Sequence, residues 1–193
     1  MNRQEAGFNL LEVVAVVALT AIGSSVAIIQ MKNTIAKLDA DKAANTVVSE
    51  INYARQLAVD QRRNVLVEFV GTNELRVTRQ ESGGGTTRMD DVTLPTGYSF
   101  NFPTGIGDTP DGFLAGSSLY TSIGTAGKAV FVGAGTTGTF IGDGTFVDNS
   151  NVLLNGEVFT QGTGNGTARA VTLSGATGKV KQYWLQGSTW VVR

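Results

Sequence analysis

The sequence predicts an α+β protein in which one long amino-terminal helix, membrane-spanning over its first half, packs on a carboxy-terminal antiparallel β-sandwich-like domain. Three observations point to it. From Phe8 to Met31 the sole ionisable side chain is Glu12, and at ~1.5 Å rise per residue such a run crosses a ~30 Å hydrocarbon core as one helix. From Lys32 to Asn64 a helical period continues in Ala36, Ala40, Ala44, Val47, Ile51, Ala54 and Ala58, with Lys37, Asp41, Lys42, Glu50 and Arg55 largely on other faces. Beyond Val65 the composition changes: all but two of the 25 glycines, Gly7 and Gly23, lie after residue 70.

The helix comes first. No proline precedes Pro95, so nothing breaks the chain between the apolar run and the amphipathic one, and the two read as one helix from about Phe8 to about Arg63. Gly23-Ser24-Ser25 is the place where it could bend. The small residues on the apolar face of the second half let a sheet approach closely.

The strands follow. Val65–Val70 and Leu75–Arg79, around Gly71-Thr72-Asn73, form a hairpin by composition and alternation. Glu81–Asp91, with its glycine triplet, reads as a loop, and Asp90-Asp91 as a solvated turn within it. Val92–Leu94 and Tyr98–Phe102 flank Pro95-Thr96-Gly97 as a second strand-turn-strand unit. Pro103–Gly127 carries little signal. Ala129–Val132, Thr139–Ile141 and Thr145–Val147 are short strand candidates, and Asn155-Gly156 between Val152–Leu154 and Glu157–Phe159 is a strong hairpin cue. Ala168–Leu173, Lys179–Gln186 and Thr189–Val192, with turns at Gly175–Gly178 and Gly187-Ser188, complete an all-β set that suggests two packed antiparallel sheets.

Composition excludes several kinds of chemistry. The chain has 193 residues, a net charge of −1 and a pI near 5.4, which is not the balance of a nucleic-acid-binding bulk surface. It contains neither cysteine nor histidine. Disulfide frameworks, imidazole-dependent triads and histidine-ligated zinc or iron sites are therefore excluded. No nucleophile, base and orienting group assemble along the sequence, so the chain reads as a non-enzyme with no cofactor.

Glu12 is the anomaly in the amino-terminal run. A carboxylate within a membrane span costs roughly 2.5 kcal/mol or more and calls for a compensating partner. The order of a short polar leader ending in Gly7, then Phe8, then Glu12 four residues on within an apolar helix resembles the type III signal of type IV pilins and pseudopilins. A secretory signal peptide or a plain single-pass anchor fits less well, because Glu12 heads the apolar run and the run continues through Ile28 and Ile29.

The resemblance implies a leader over residues 1–7, a transmembrane and filament-core helix half over 8–31, a soluble half of the same helix over 32–64 and a β domain over 65–193. It implies cleavage after Gly7 by a prepilin peptidase and N-methylation of Phe8. Glu12 would neutralise the amino terminus of a neighbouring subunit, since a buried acid and a buried ammonium are far less costly together than apart. Asn9 departs from the threonine most common there.

Ile51–Ala58 leading through Arg62-Arg63-Asn64 into Val65-Leu66-Val67, and Arg169–Ser174 followed by Thr177-Gly178-Lys179-Val180, resemble the GspH/FimT type of minor pseudopilins and minor pilins. The implied partners are other pilin or pseudopilin subunits, the prepilin peptidase and an inner-membrane assembly platform, with a secreted substrate or DNA as a further possibility. The implied location is the bacterial inner membrane, single-pass, with the globular domain periplasmic or extracellular, or within a type IV pilus or type II secretion pseudopilus.

Two further sets of residues suggest ligands. Asp143 and Asp148, with Asn149 and Asn151, are weak calcium candidates in a glycine-rich segment whose spacing is not that of an EF-hand; Asp108 and Asp111 stand in a similar context. Gly178-Lys179-Val180-Lys181 resembles the Gly-Arg-x-Arg motif of minor pilins implicated in DNA uptake, with lysine at both basic positions. Alternation would place Lys179 and Lys181 on one face near Tyr183 and Trp184, where bases could stack. Against that, lysines also blunt edge strands. A third reading is an unprocessed, membrane-anchored β domain.

Overall fold

The computed structural model describes residues 9–103, 105–113, 129–131, 137–163 and 166–193, with residues 26–30, 33 and 129–131 described by their backbone alone. The chain divides into two compact units, Met1–Ala36 and Lys37–Arg193. One helix, α1 (Leu10–Gln61), contributes to both.

In the first unit Asn9 is the amino-terminal cap. Its Oδ1 accepts from the Leu11 amide at 3.3 Å and its carbonyl from the Glu12 amide at 2.9 Å, the arrangement expected where the first turn leaves donors without helical partners. Thr20, Ser24 and Ser25 return their hydroxyls to the carbonyls of Val17, Thr20 and Ile22 at 2.7–2.9 Å. The apolar side chains point outward: Leu10 and Leu19 are 81% and 70% exposed. Among the described residues no helix is long and apolar enough to cross a membrane, so the span expected over Phe8–Met31 is not shown. Phe8 and the side chains of residues 26–30 lie outside the described residues, and the run that remains, Leu10–Ser25 with Glu12 in it, falls short of the ~20 residues a bilayer needs.

The second unit holds the rest of α1 and two antiparallel sheets. The first sheet runs β3-β2-β1-β6-β7, from β1 (Val65–Val70), β2 (Glu74–Gln80), β3 (Thr86–Thr93), β6 (Thr137–Phe140) and β7 (Phe146–Val147). The second runs β11-β10-β9-β8-β4, from β4 (Tyr98–Phe100), β8 (Gly156–Gly162), β9 (Arg169–Leu173), β10 (Val180–Gln186) and β11 (Thr189–Val192), with β5 (Ala129–Phe131) also on β8.

Alternation directs side chains inward as the period-two pattern requires. In β1 and β2, Val65, Val67, Phe69, Leu75 and Val77 are buried while their neighbours are half-buried. The buried stripe of α1, Ala40, Ala43, Ala44, Val47, Ile51, Ala54 and Ala58, joins these residues and Tyr98, Phe100, Val158, Val171 and Leu173 of the second sheet in one core. Phe69 and Phe100 meet edge to face across the two sheets at 4.9 Å. A smaller core of Phe159, Ala168, Ala170, Tyr183 and Trp190 includes Phe102 and Ile106 at its margin, and Trp190 Nε1 donates to the Gly107 carbonyl at 2.9 Å. Phe102, Ile106 and Gly107 thus lie over the second sheet.

Three local expectations are corrected. Glu81–Asp91 is not a loop throughout: β3 starts at Thr86 and pairs with β2, with a register irregularity between Val77 and Thr78. The turn is confined to Glu81–Gly85, and the Glu81 carboxylate fastens it by accepting from Arg79 and Thr87 and pairing with Arg63 at 3.3 Å. Val92–Leu94 and Tyr98–Phe102 are not a hairpin, because β3 and β4 belong to different sheets. Asn155-Gly156 is not a hairpin turn either. Neither residue has the positive φ that a type I′ turn demands; Gly156 is the first residue of β8, paired with Leu173, and Asn155 Oδ1 accepts from the Gly175 amide at 3.0 Å. Of the preceding run only Leu153 bridges, to Val147.

The carboxyl end of α1 explains how the helix turns into β1. Arg62 adopts φ 50°, its amide donates to the Val59 carbonyl at 3.4 Å and the Arg63 amide to the Ala58 carbonyl at 3.2 Å, the pair of bonds that defines a Schellman cap. Glycine normally holds that position because a Cβ is unfavourable there. Arg62 is exposed, so Arg62→Gly should raise stability by about 1 kcal/mol in chemical denaturation. Gly175 shows the opposite case: a Cβ there would lie 2.4 Å from the Leu154 carbonyl oxygen. Backbone cannot give way as a side-chain tip can, so Gly175→Ala should cost roughly 2–3 kcal/mol by the same measurement.

Candidate functional site

The largest feature that folding leaves unsatisfied is the outward face of α1 in the first unit. Leu10, Leu11, Val14, Val17, Leu19 and Ile22 are each at least 60% exposed. Burying a side chain of this kind contributes ~1.5–3 kcal/mol, so covering the six would release on the order of 10 kcal/mol. The three hydroxyls of this stretch are already bonded to the helix's own carbonyls, which suits them to apolar surroundings. Glu12 stands in the first turn, three residues after the Asn9 cap. There the partial positive charge of the helix amino terminus favours an acid, a local reason for Glu12 beside the one its resemblance implies. Gly7 and Phe8 lie outside the described residues.

Lys179 precedes β10 and Lys181 lies on it, and both line a cavity of about 310 Å³ with Asp111, Phe113 and Thr172. They differ in environment. Lys181 is ion-paired with Asp111, whose other oxygen accepts from the Thr172 hydroxyl at 2.6 Å. Burial alone would raise the Asp111 carboxyl, but bonds from Lys181, Thr172 and Tyr183 hold it below its usual range, and the same bond raises Lys181. Tyr183 is buried in the smaller core. Trp184, next along the strand and so on the other face, lies under the guanidinium groups of Arg169 and Arg193 at 5.5 and 5.4 Å. The two aromatics therefore form no stacking platform beside Lys181.

Asp143 and Asp148 direct their carboxylates at their own turns. Asp143 accepts from the Thr145 amide and hydroxyl at 2.9 and 2.7 Å, and these bonds lower its pKa. Asp148 accepts from the amides of Ser150 and Val152 at 2.8 and 2.9 Å. Among the described residues no group of three or more acids is placed to hold a metal ion.

Side chains that the sequence reading passed over are the most perturbed. Arg169 is buried and ties the second sheet to α1 through Asp41 at 2.7 Å. Glu157, fully buried on β8, accepts from the Thr109 hydroxyl. Burial first, then Asp108 and Asp111, push its carboxyl up to about 9 despite that bond. Glu50 on α1 is buried, and desolvation with nearby Asp90 raises it to about 7. This corrects the expectation that Glu50 lies on another face of the helix: three residues after Val47 and four before Ala54, it sits at the margin of the buried stripe.

No protein-family model matches the sequence, and no curated protein sequence matches it. Two solved structures, both of the minor pseudopilin EpsH from the type 2 secretion system of Vibrio cholerae, are similar to this chain with a TM-score of 0.46 each. They are 12% and 13% identical to it, over 75% and 76% of this chain and 95% and 94% of theirs.

Glu157 gives a test of the polar layer over the second sheet. Its native carboxyl stays protonated up to about pH 9, whereas the unfolded chain ionises it near 4.5. Between those values the native state binds one more proton, so its stabilising contribution is full below about 4.5 and declines as the pH rises toward 9. Glu157→Gln should remove this decline. Denaturation series at mildly acidic and mildly alkaline pH should show the wild type losing stability relative to the variant as the pH rises.

Proposed function

We propose that this chain is a structural subunit of the pilin or pseudopilin class, of the minor GspH/FimT type, acting without catalysis or cofactor. The carrying observation is the exposed apolar face of α1 that begins directly after Gly7-Phe8 and contains Glu12 as its single acid. Such a face requires an apolar environment, first a bilayer and then a bundle of like helices. In this reading a prepilin peptidase cuts after Gly7 and the new amino terminus at Phe8 is methylated. The helix resides in the bacterial inner membrane with the β domain on the outer side, and an assembly platform moves it into a filament. Glu12 pairs with the amino terminus of a neighbouring subunit, where two charges that are costly alone compensate each other.

A DNA-uptake role is not favoured. Lys181 is neutralised by Asp111, Tyr183 is buried, and Trp184 is covered by two arginines, which leaves Lys179 as the exposed cation of that motif. Salt-dependent binding of the chain to single-stranded DNA would restore the DNA reading.

The processing step is tested by intact mass and amino-terminal sequencing of protein taken from its membrane. A chain beginning at a methylated Phe8 is expected, and Gly7→Ala should leave the full-length precursor; normal maturation of that variant would refute the processing step. Glu12→Val and Glu12→Gln should both be cut normally but enter filaments at a small fraction of the wild-type level. If Glu12→Gln assembles as well as the wild type, the acid serves the helix amino terminus alone.

A further inference from the structure

A groove of about 540 Å³ runs along the solvent side of α1 in the second unit, with Leu38, Lys42 and Glu50 on the helix, Val92 on β3, and Arg193 after β11 among its walls. It lies between two sheet edges, since β3 and β11 are the terminal strands of their sheets. Glu50 is only 5% exposed, and its Oε1 has no hydrogen-bond partner. A buried carboxylate oxygen without a partner carries its full desolvation cost.

The charges around Glu50 do not relieve it. From β3 it faces Asp90, a second acid, and neither is in an ion pair among the described residues. Asp91, next on that strand, is committed to Arg76 and Arg88. On α1 itself Asp41 is held by Arg169, and Lys42 is eight positions away, ~12 Å along the axis and beyond its reach. Arg193 contacts Asn45 at 3.5 Å and covers Trp184. Glu50, with Asp90 beside it, thus faces a groove that has Val92 in its wall, and among the described residues no cation pairs with either acid.

We propose that this groove is a docking site for an arginine or lysine side chain presented by a different protein. The apolar stem lies along Val92, and the charged head meets Glu50 and Asp90. Occupation supplies the missing partner to the buried oxygen, and a cation beside the carboxyl favours its ionised form. Because Glu50 alone titrates near 7, docking releases a proton, and affinity rises ~fivefold between about pH 6 and 8 as the ionised fraction grows. This inference does not depend on processing at Gly7 or on filament assembly.

The test uses the full chain in detergent micelles, carboxyl-labelled at glutamate, titrated with butylguanidinium and butylammonium while the glutamate resonances are followed by NMR. Saturable binding at millimolar probe, the range expected for one side chain, should lower the Glu50 pKa by about one unit and leave Glu68 unmoved. Glu50→Gln should abolish the binding without lowering the melting transition, and Asp90→Asn should weaken the binding severalfold. An unmoved Glu50 pKa, or equal binding by Glu50→Gln, would overturn the proposal. A fall in the Glu50 pKa without probe that deepens with protein concentration would mean that a second copy fills the groove, and would overturn the assignment to a different protein.

Discussion

Close approach of two sheets to one helix face is the constraint on which the second unit depends. Ala40, Ala43, Ala44, Ala54 and Ala58 are fully buried, and no larger side chain could occupy those positions without forcing the sheets apart. Val47 and Ile51 fill the wider middle, where residues from both sheets converge. A helix with large residues on this face would meet one sheet or the other. The alanine stripe lets both rest on it, so the core is shared among three elements rather than stacked in two layers.

Arg169 makes the same junction with charge. It is buried and hydrogen-bonds Asp41 on α1 as well as the carbonyls of Gly166 and Ala168. A buried guanidinium is tolerated when its donors are matched, and removal of one partner is costly because the other charge remains. The contact therefore sets where β9 lies along the helix more than it adds to stability. Glu157 and Glu50 solve the problem of burial differently, through raised pKa values that favour the neutral form.

The two units place opposite demands on one helix. In the second, α1 meets its partners within the chain, and its apolar face is consumed by the core. In the first, the apolar side chains from Leu10 to Ile22 remain outside, while the hydroxyls among them are satisfied locally. The hydroxyls of that stretch thus need nothing from outside, whereas its apolar side chains remain uncovered.

The long helix, its alanine stripe and the chief strands were legible in the sequence, because each depends on a local period that water and a nearby apolar surface enforce. Val65–Val70 with its three-residue turn, and Lys179–Gln186 with Gly187-Ser188, needed no knowledge of the rest of the chain. Tertiary structure alone decided the partners. Thr86–Asp91 became a strand because β2 offered it an open edge. Asn155-Gly156 lost its turn because β8 pairs with β9, the next strand along the chain, instead of with Val152–Leu154. The candidate residues divide in the same way. Glu12 stands out from composition alone, as one acid in an apolar run. The pairing of Lys181 with Asp111, the seclusion of Glu157 and the unmatched acids Glu50 and Asp90 arise only when distant strands meet, since an ionisable group's state depends on the charges and burial that folding brings to it.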